Sequence, residues 1–298
     1  MEKETKLSLF TTIVTAAVVL GFTWMYTAGQ GAANTAKTKA SASTTIHQAP
    51  AQARAQAAEI PVVWGNLGAR MADTGVFDKE KLLALYAGRG GLNTEERNLV
   101  DGVSNGTLKV NDKNAGLLLN LFWALGLSNQ NDILEKGEMT DPLYGGDASR
   151  FASTGGWTLA KGSPMDHYSK HRFIVLTPDE QALVERASKN IYRPCCGNST
   201  HFPDCNHGMA MLGLLELMAS QGATEEQMYR AALTMNSYWF PEQYATITRY
   251  LESRGVSPQN ANPKEILGAA YSSGSGFQKI ASLVPQVTEE RKSGSCGI

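Results

Sequence analysis

The chain is poor in charge and in cysteine. Asp, Glu, Lys and Arg together make up 18% of its 298 residues, and 27 basic against 28 acidic side chains leave a formal net charge of −1. A near-neutral chain with no basic cluster lacks the electrostatic surface that nucleic-acid binding requires. Four cysteines in a chain of this length are too few for a disulfide scaffold. Hydrophobic residues, at 42%, are numerous enough for a large core, which excludes disorder of the whole chain.

The sequence also lacks the short motifs of several well-known sites. It has no Cys-x-x-Cys pair, which excludes a thioredoxin-type motif, paired zinc knuckles and covalent haem attachment. It has no phosphate-binding loop of the Walker type. Its five histidines have no acidic partners at a spacing typical of a hydrolase triad. The sequence therefore gives no positive indication of an enzyme.

A long uncharged segment lies near the amino terminus. Residues 7–29 are mostly apolar and contain no charged side chain, and a helix of that length crosses a hydrocarbon core of about 30 Å. Trp24 and Tyr26 stand where an interfacial aromatic belt is expected. Two lysines precede the segment and favour a cytoplasmic amino terminus. We predict a single transmembrane signal anchor at 7–29 in the lipid bilayer of the cell membrane, with residues 1–6 as a cytoplasmic tail.

A cleavable signal peptide is the alternative interpretation of the same segment. Thr27, Ala28 and Gly29 are small enough for processing, although the apolar stretch is long for a signal peptide. Both interpretations place the rest of the chain outside the cytoplasm, in the periplasm or at the cell surface. A membrane protein or another extracytoplasmic protein is then the expected class of protein partner.

Residues 30–59 are predicted to be a disordered linker. Eleven of the 29 residues at 31–59 are alanine, and Ile46 is the sole sizeable aliphatic side chain among them. Such a segment cannot bury enough apolar surface to offset its chain entropy. The folded domain is predicted at 60–285, and residues 286–298 are predicted to be a flexible tail.

Helix signals recur through the domain and predict an all-α fold. Capping residues, prolines in first turns and terminating glycines delimit helices at 77–86, 94–100, 111–126, 177–192, 206–220, 224–239, 241–253, 263–270 and 277–284. The helix that ends at Gly126 is apolar around most of its circumference and is predicted to be the central buried helix. One strand alone is plausible, at 172–176.

A long irregular stretch at 128–163 divides the predicted helices into two groups. Subdomains at 60–127 and 164–285 are therefore an alternative to a single domain. Each group is small for an independent core, so a single domain is favoured.

Three of the four cysteines and two of the five histidines fall within 13 residues, namely Cys195, Cys196, His201, Cys205 and His207. Thiolate together with imidazole suits Zn(II), and thiolate also suits Cu(I). We therefore predict a metal centre in this segment, with Cu(I) or Zn(II) as its ion. The predicted function is a membrane-anchored extracytoplasmic protein that uses the metal for metal handling or for structural support.

The predicted ligands continue into the helix that begins near Asn206. The positive end of that helix favours a thiolate at Cys205, and the nearby Arg193 adds to the effect. Met211 follows His207 by one helical turn on the same face, although methionine at such a position is more often core filler. The predicted metal ligands are Cys195, Cys196, Cys205, His207 and Met211, with His201 and Cys296 as weaker members.

The same cysteines support two alternative functions. Cys196 and Cys205 suit a thiol–disulfide redox protein, in which one thiolate attacks and a neighbouring cysteine resolves the mixed disulfide. Exported cysteines also commonly form structural disulfides, and a loop stapled in this way suits a non-catalytic assembly factor. Glu216, the single acidic residue of the following helix, is expected to lie in solvent.

Overall fold

The described part of the chain begins with a strand at residues that the sequence placed in the linker. The structure is a computed structural model and describes residues 57–284. Strand β1 (Ala58–Gly65) pairs antiparallel with strand β2 (Ser104–Val110). The side chains of Ile60, Val62 and Trp64 alternate along β1 and are buried, as expected for a strand that covers a core with one face.

Helices make up most of the described residues, which agrees with the prediction of an all-α fold except that the domain also contains the two strands. Between the two strands and after them, the helices are α1 (Leu67–Thr74), α2 (Lys79–Ala87), α3 (Thr94–Asp101), α4 (Ala115–Ser128), α5 (Asp132–Lys136), α6 (Pro178–Ser188), α7 (Asn206–Ser220), α8 (Glu225–Trp239), α9 (Pro241–Ser253), α10 (Pro263–Leu267), α11 (Ala269–Ser272) and α12 (Gly274–Leu283).

Helix ends with a clear capping chemistry lie where the sequence predicted them. Thr177 and Thr224 each form a capping box, in which the side chain of the third helical residue bonds back to the cap. The bounds of α7 and α9 agree with the predicted ranges residue for residue. Capping bonds form within the first turn of a helix, so they do not depend on which other element packs against it.

The predicted strand at 172–176 is wrong. His171 forms one isolated bridge with Asn129, and the residues after it join no sheet. Side chains satisfy this backbone instead: the Asn129 Oδ1 accepts from the Ile174 N–H at 2.9 Å, and the Arg70 guanidinium donates to the Phe173 carbonyl at 3.1 Å. An apolar run can therefore lie extended over a core without a strand partner.

Helices α4 and α7 form the most extensive helix–helix contact of the described residues. They cross at Gly126 and Gly213, where a Cβ atom on either glycine would collide with a backbone carbonyl of the other helix. The prediction that α4 ends at Gly126 is wrong, because the helix continues to Ser128. Gly126 is a point of close backbone approach and not a stop signal.

The predicted membrane anchor is not part of the described structure. Within residues 57–284, none of the helices combines the length and the apolarity that a membrane span requires. The predicted anchor at 7–29, the cytoplasmic tail at 1–6 and the carboxy-terminal tail at 286–298 lie outside the described residues.

Glu216 lies in the middle of α7 and is fully buried, which contradicts the expectation that it lies in solvent. Its Oε1 accepts from Asn131 at 2.5 Å and its Oε2 accepts from Asn129 at 3.2 Å. Both asparagines follow α4, so the packing of α4 on α7 covers the carboxyl group. Because burial disfavours the charged form, the pKa of Glu216 is raised well above its ordinary value.

Glu216 is expected to make the chain less stable as the pH rises. A raised pKa means that the folded chain keeps a proton which the unfolded chain releases above about pH 4.3, so the free energy of unfolding falls from there towards the folded pKa. Glu216→Gln has no proton to release. Urea unfolding at about pH 5 and about pH 8 should show that the wild type loses stability relative to this variant at the higher pH.

The matched control is Glu226→Gln, because the Glu226 side chain is 72% exposed and pairs with Arg230 on the surface of α8. This variant should follow the wild type at both pH values. Equal stability differences between wild type and Glu216→Gln at the two pH values would contradict the assignment of a buried, protonated carboxyl group.

Candidate metal centre

The segment between α6 and α7 folds back on itself without forming a helix or a strand. The Thr200 N–H donates to the Ile191 carbonyl at 2.8 Å, which closes the loop on its own beginning. The Cys196 carbonyl accepts from the N–H of Gly274, the first residue of α12, at 2.7 Å. These backbone bonds hold the cysteines in place beside the start of α7.

Cys205 occupies the N-cap of α7 and lies at the centre of a group of three thiols. Its Sγ is 3.6 Å from the Sγ of Cys195 and 3.8 Å from the Sγ of Cys196. A disulfide needs about 2.05 Å, and all three cysteines are free. Two sulfur ligands of one tetrahedral zinc ion, each at about 2.3 Å from the metal, lie about 3.8 Å apart. The sulfurs therefore have the spacing of metal ligands.

His207 brings an imidazole to the same group. One ring nitrogen of His207 and the Sγ atoms of Cys195 and Cys205 all lie within 4.8 Å of one another. The ring packs against Phe240, with the two centroids 4.4 Å apart. The Nδ1 atom is buried and finds no hydrogen-bond partner among the described residues. A buried polar atom without a hydrogen-bond partner is costly to keep in a folded protein.

Asp204 is the residue of the site that the sequence analysis missed. Ligand atoms of Cys196, Asp204 and Cys205 form a second set within 4.8 Å, so Cys205 belongs to both sets. The two carboxylate oxygens of Asp204 accept from Arg193 at 2.7 Å and from Asn198 at 2.8 Å. This carboxylate is thus engaged in holding the loop. Its position next to Cys205 was the one feature of the sequence that could have identified Asp204 as part of the site. Aspartate is so common beside turns that this position alone does not indicate a ligand.

Arg193 holds the loop together from inside. Its side chain is 1% exposed, and its Nε donates to the Sγ of Cys205 at 3.0 Å. The other guanidinium nitrogens donate to the carbonyls of Asn198 and Phe202 and to Asp204. Gly208 makes room for this group, since a Cβ atom there would lie 2.5 Å from the guanidinium carbon.

The three thiols differ as acids. Hydrogen bonds from Cys195 and Cys196, together with His207 and the Arg193 charge, lower the pKa of Cys205. Hydrogen bonds with Cys196 and Cys205 raise the pKa of Cys195. Although its bond with Cys195 acts in the opposite direction, the bond with Cys205 and burial raise the pKa of Cys196 to about 11. Cys205 is therefore the thiol of the cluster that gives up its proton most readily, and it stands at the helix start where the sequence predicted a thiolate.

Other predicted ligands lie apart from this cluster or outside the described residues. The Nδ1 of His201 is 2.8 Å from a carboxylate oxygen of Glu138, and His201 belongs to neither ligand set. Met211 is buried in the hydrophobic core, and its coordination of an ion stays a prediction. Cys296 lies outside the described residues.

A second pair of imidazoles lies outside this cluster. The Nδ1 of His167 and the Nε2 of His171 are 3.0 Å apart, and the rings are stacked. Within the described part of the chain, no further His, Cys, Asp or Glu joins them to form a set of three. The pair is therefore accounted for as a hydrogen bond.

The run Gly102-Val103-Ser104-Asn105-Gly106 has the letters of a hydrolase nucleophile elbow. That motif needs a turn from a strand into a helix. Here Gly102 follows helix α3 and Ser104 begins strand β2. The chain therefore passes from a helix into a strand at this serine, which is the opposite order to that of a nucleophile elbow.

Comparison with known proteins gives no indication of function, so the function has to be inferred from the geometry of the site. Family models, curated proteins and solved structures give no match to this chain. What the structure shows is a cluster of cysteine and histidine side chains whose ligand atoms are positioned where they could bind a metal ion.

Loss of the Arg193 guanidinium should loosen the cysteine loop. The Arg193 guanidinium donates to two loop carbonyl groups, to one carboxylate and to one thiol. Arg193→Met removes this buried charge and leaves those groups without their donor. We expect it to lower the free energy of unfolding by about 3 kcal/mol. The control is Arg186→Met, because Arg186 is 59% exposed and pairs with Glu225 at 3.7 Å, a pair worth about 1 kcal/mol or less. Urea unfolding measures both, and equal losses would contradict the role assigned to Arg193.

Proposed function

We propose that the protein is a zinc-binding protein whose ion is held by Cys195, Cys196, Cys205 and His207. The observation that carries this proposal is the convergence of sulfur and nitrogen ligand atoms on Cys205, together with a buried Nδ1 of His207 that has no partner. The separations of 3.6 and 3.8 Å between the Cys205 sulfur and the other two sulfurs match those between pairs of ligands of a tetrahedral zinc ion. Cys196 and His207 stand in different ligand sets, so a site with all four ligands requires Cys196 to move towards the imidazole.

Charge and geometry favour Zn(II) over Cu(I). Three thiolates carry three negative charges, and the carboxylate of Asp204 and the guanidinium of Arg193 offset one another at 2.7 Å. A divalent ion leaves one negative charge in this partly buried place and a monovalent ion leaves two, so the divalent ion costs less to bury. Tetrahedral sulfur and nitrogen ligands are also the usual set for structural and exchangeable zinc.

The construction of the loop supports a role in metal handling more than a role in folding. Arg193 and backbone bonds already hold the loop without an ion. Cys195 is exposed, so a competing ligand can reach one side of the site from solvent. A preformed site with one open side suits an ion that is bound and passed on. Removal of the metal should therefore leave the helices intact.

The membrane anchor completes the proposal. Residues 7–29 form an uncharged apolar segment of spanning length, and residues 30–56 separate it in the sequence from the described domain. We propose that the zinc-binding domain is tethered to the outer side of the cell membrane, where it meets membrane or extracytoplasmic proteins that exchange metal with it.

The purified chain should bind one zinc ion per molecule under reducing conditions. Cys205→Ser removes the sulfur common to both ligand sets and should lower zinc affinity by about 100-fold or more, and His207→Ala by about 10-fold or more. His201→Ala is the matched control, because His201 pairs with Glu138 outside the cluster. Elemental analysis and competition with a zinc indicator measure these affinities, and substituted Co(II) should show the intense visible bands of a tetrahedral site.

Several outcomes would contradict this proposal in distinct ways. Equal and near-zero zinc content in wild type and Cys205→Ser would remove the metal centre. Preferential retention of Cu(I) in competition would replace zinc with copper. A loss of helical circular dichroism on chelation would show that the ion is structural and not handled.

The anchor has its own test. Full-length protein expressed in a bacterial host should sediment with the membranes and resist extraction by high salt. A variant without residues 1–29 should remain in the soluble fraction, because the apolar segment that partitions into lipid is absent. Soluble full-length protein of undiminished mass would contradict the anchor, and a soluble product shortened near residue 29 would indicate a cleaved signal peptide.

A further inference from the structure

We propose that oxidation of Cys195 and Cys205 to a disulfide releases the ion, which makes the site a redox-controlled zinc store. This inference rests on the proposed function, because it concerns the release of the zinc ion assigned above. It connects two properties of the same cluster: the sulfurs have the spacing of metal ligands, and a short shift would bring two of them to bonding distance.

The geometry selects Cys195 and Cys205 from the three thiols. Their Sγ atoms are 3.6 Å apart, which is the shorter of the two separations measured to Cys205. Cys195 is the exposed member of the group, whereas Cys196 and Cys205 are half-buried. An oxidant in solution therefore meets Cys195 first. A bond between Cys195 and the adjacent Cys196 would close a strained ring.

The two side chains differ in what holds them. Cys205 is held at the start of α7 by the Arg193 Nε at 3.0 Å. Cys195 is exposed, although the carbonyl of the adjacent Cys196 accepts from the Gly274 N–H at 2.7 Å and fixes the backbone there. Shortening the sulfur separation from 3.6 Å to about 2.05 Å requires a shift of about 1.5 Å. Rotation of the exposed Cys195 side chain towards a stationary Cys205 can supply it.

The reaction needs a small-molecule disulfide as the oxidant. In the zinc-loaded protein Cys195 is a thiolate, because a cysteine must lose its proton to bind the ion. Its sulfur attacks one sulfur of that disulfide, forms a mixed disulfide and expels the first small thiolate. The Cys205 thiolate then attacks the Cys195 sulfur and expels the second. The protein loses two electrons, the small disulfide gains them, and each expelled thiolate takes a proton from water. The ion has then lost two of its four ligands, keeps Cys196 and His207 alone, and dissociates into solvent.

The test begins with the full-length, zinc-loaded protein and an excess of oxidised glutathione. A zinc indicator follows release, and peptide mass mapping under non-reducing conditions identifies the disulfide. We expect one zinc ion released for each Cys195–Cys205 disulfide formed, and recovery of zinc binding after reduction. The metal-free protein, treated in the same way, should form the same disulfide.

Two serine variants provide the matched comparison. Cys195→Ser and Cys196→Ser each remove one sulfur and leave three ligands. Both variants should bind zinc more weakly than the wild type, because each has lost a ligand. Cys196→Ser should still form the Cys195–Cys205 disulfide on oxidation, whereas disulfide formation in Cys195→Ser should be at least about 10-fold slower. If either variant fails to load zinc, the disulfide map of its metal-free form decides the pairing.

The outcomes separate this inference from the proposed function. Zinc retained under the oxidant, zinc released without a protein disulfide, or a disulfide between Cys196 and Cys205 would overturn the inference and leave the zinc site standing. A chain that binds no zinc at the outset would overturn both.

Discussion

The buried guanidinium of Arg193 is the interaction on which the arrangement of the cysteines depends. A charged side chain that is 1% exposed is stable only when its hydrogen bonds are made and its charge is matched. Arg193 meets both conditions within 12 residues of itself, through Asn198, Phe202, Asp204 and Cys205. The loop therefore folds around one side chain, and the thiol that this side chain contacts is the one shared by both ligand sets.

The rigidity of the site comes from the helix behind it. Helix α7 is buried along nearly its whole length and crosses α4 in backbone contact at Gly126 and Gly213. Glu216, in the middle of the same helix, is tied to two asparagines beyond the end of α4. Cys205 and His207 stand at the first turn of this fixed helix, whereas Cys195 stands on an exposed turn. A site with one rigid side and one adjustable side can bind an ion and still release it.

The helix ends that depend on neighbouring residues in the sequence are predicted correctly. Thr177 and Thr224 cap their helices through residues three positions away, and the start of α7 at Asn206 followed from the same kind of pattern. The predictions are wrong where contacts between distant elements determine the structure. Strand β1 was not predicted. Ile60, Val62 and Trp64 alternate with exposed residues there, but Pro61 lies among them, and proline is tolerated in a strand at the edge of a sheet. The side chain of Glu216 is polar, but every face of its helix is covered.

The sequence by itself determined that thiols and imidazoles are concentrated within 13 residues at a helix start, because ligand type and helix capping are properties of neighbours along the chain. Only the tertiary structure decided which of them meet. His201 turns to Glu138, which is 63 residues away, while His207 joins Cys195 across the bend at Pro203. Such choices depend on which distant element covers each side chain, and no spacing within the segment encodes that contact.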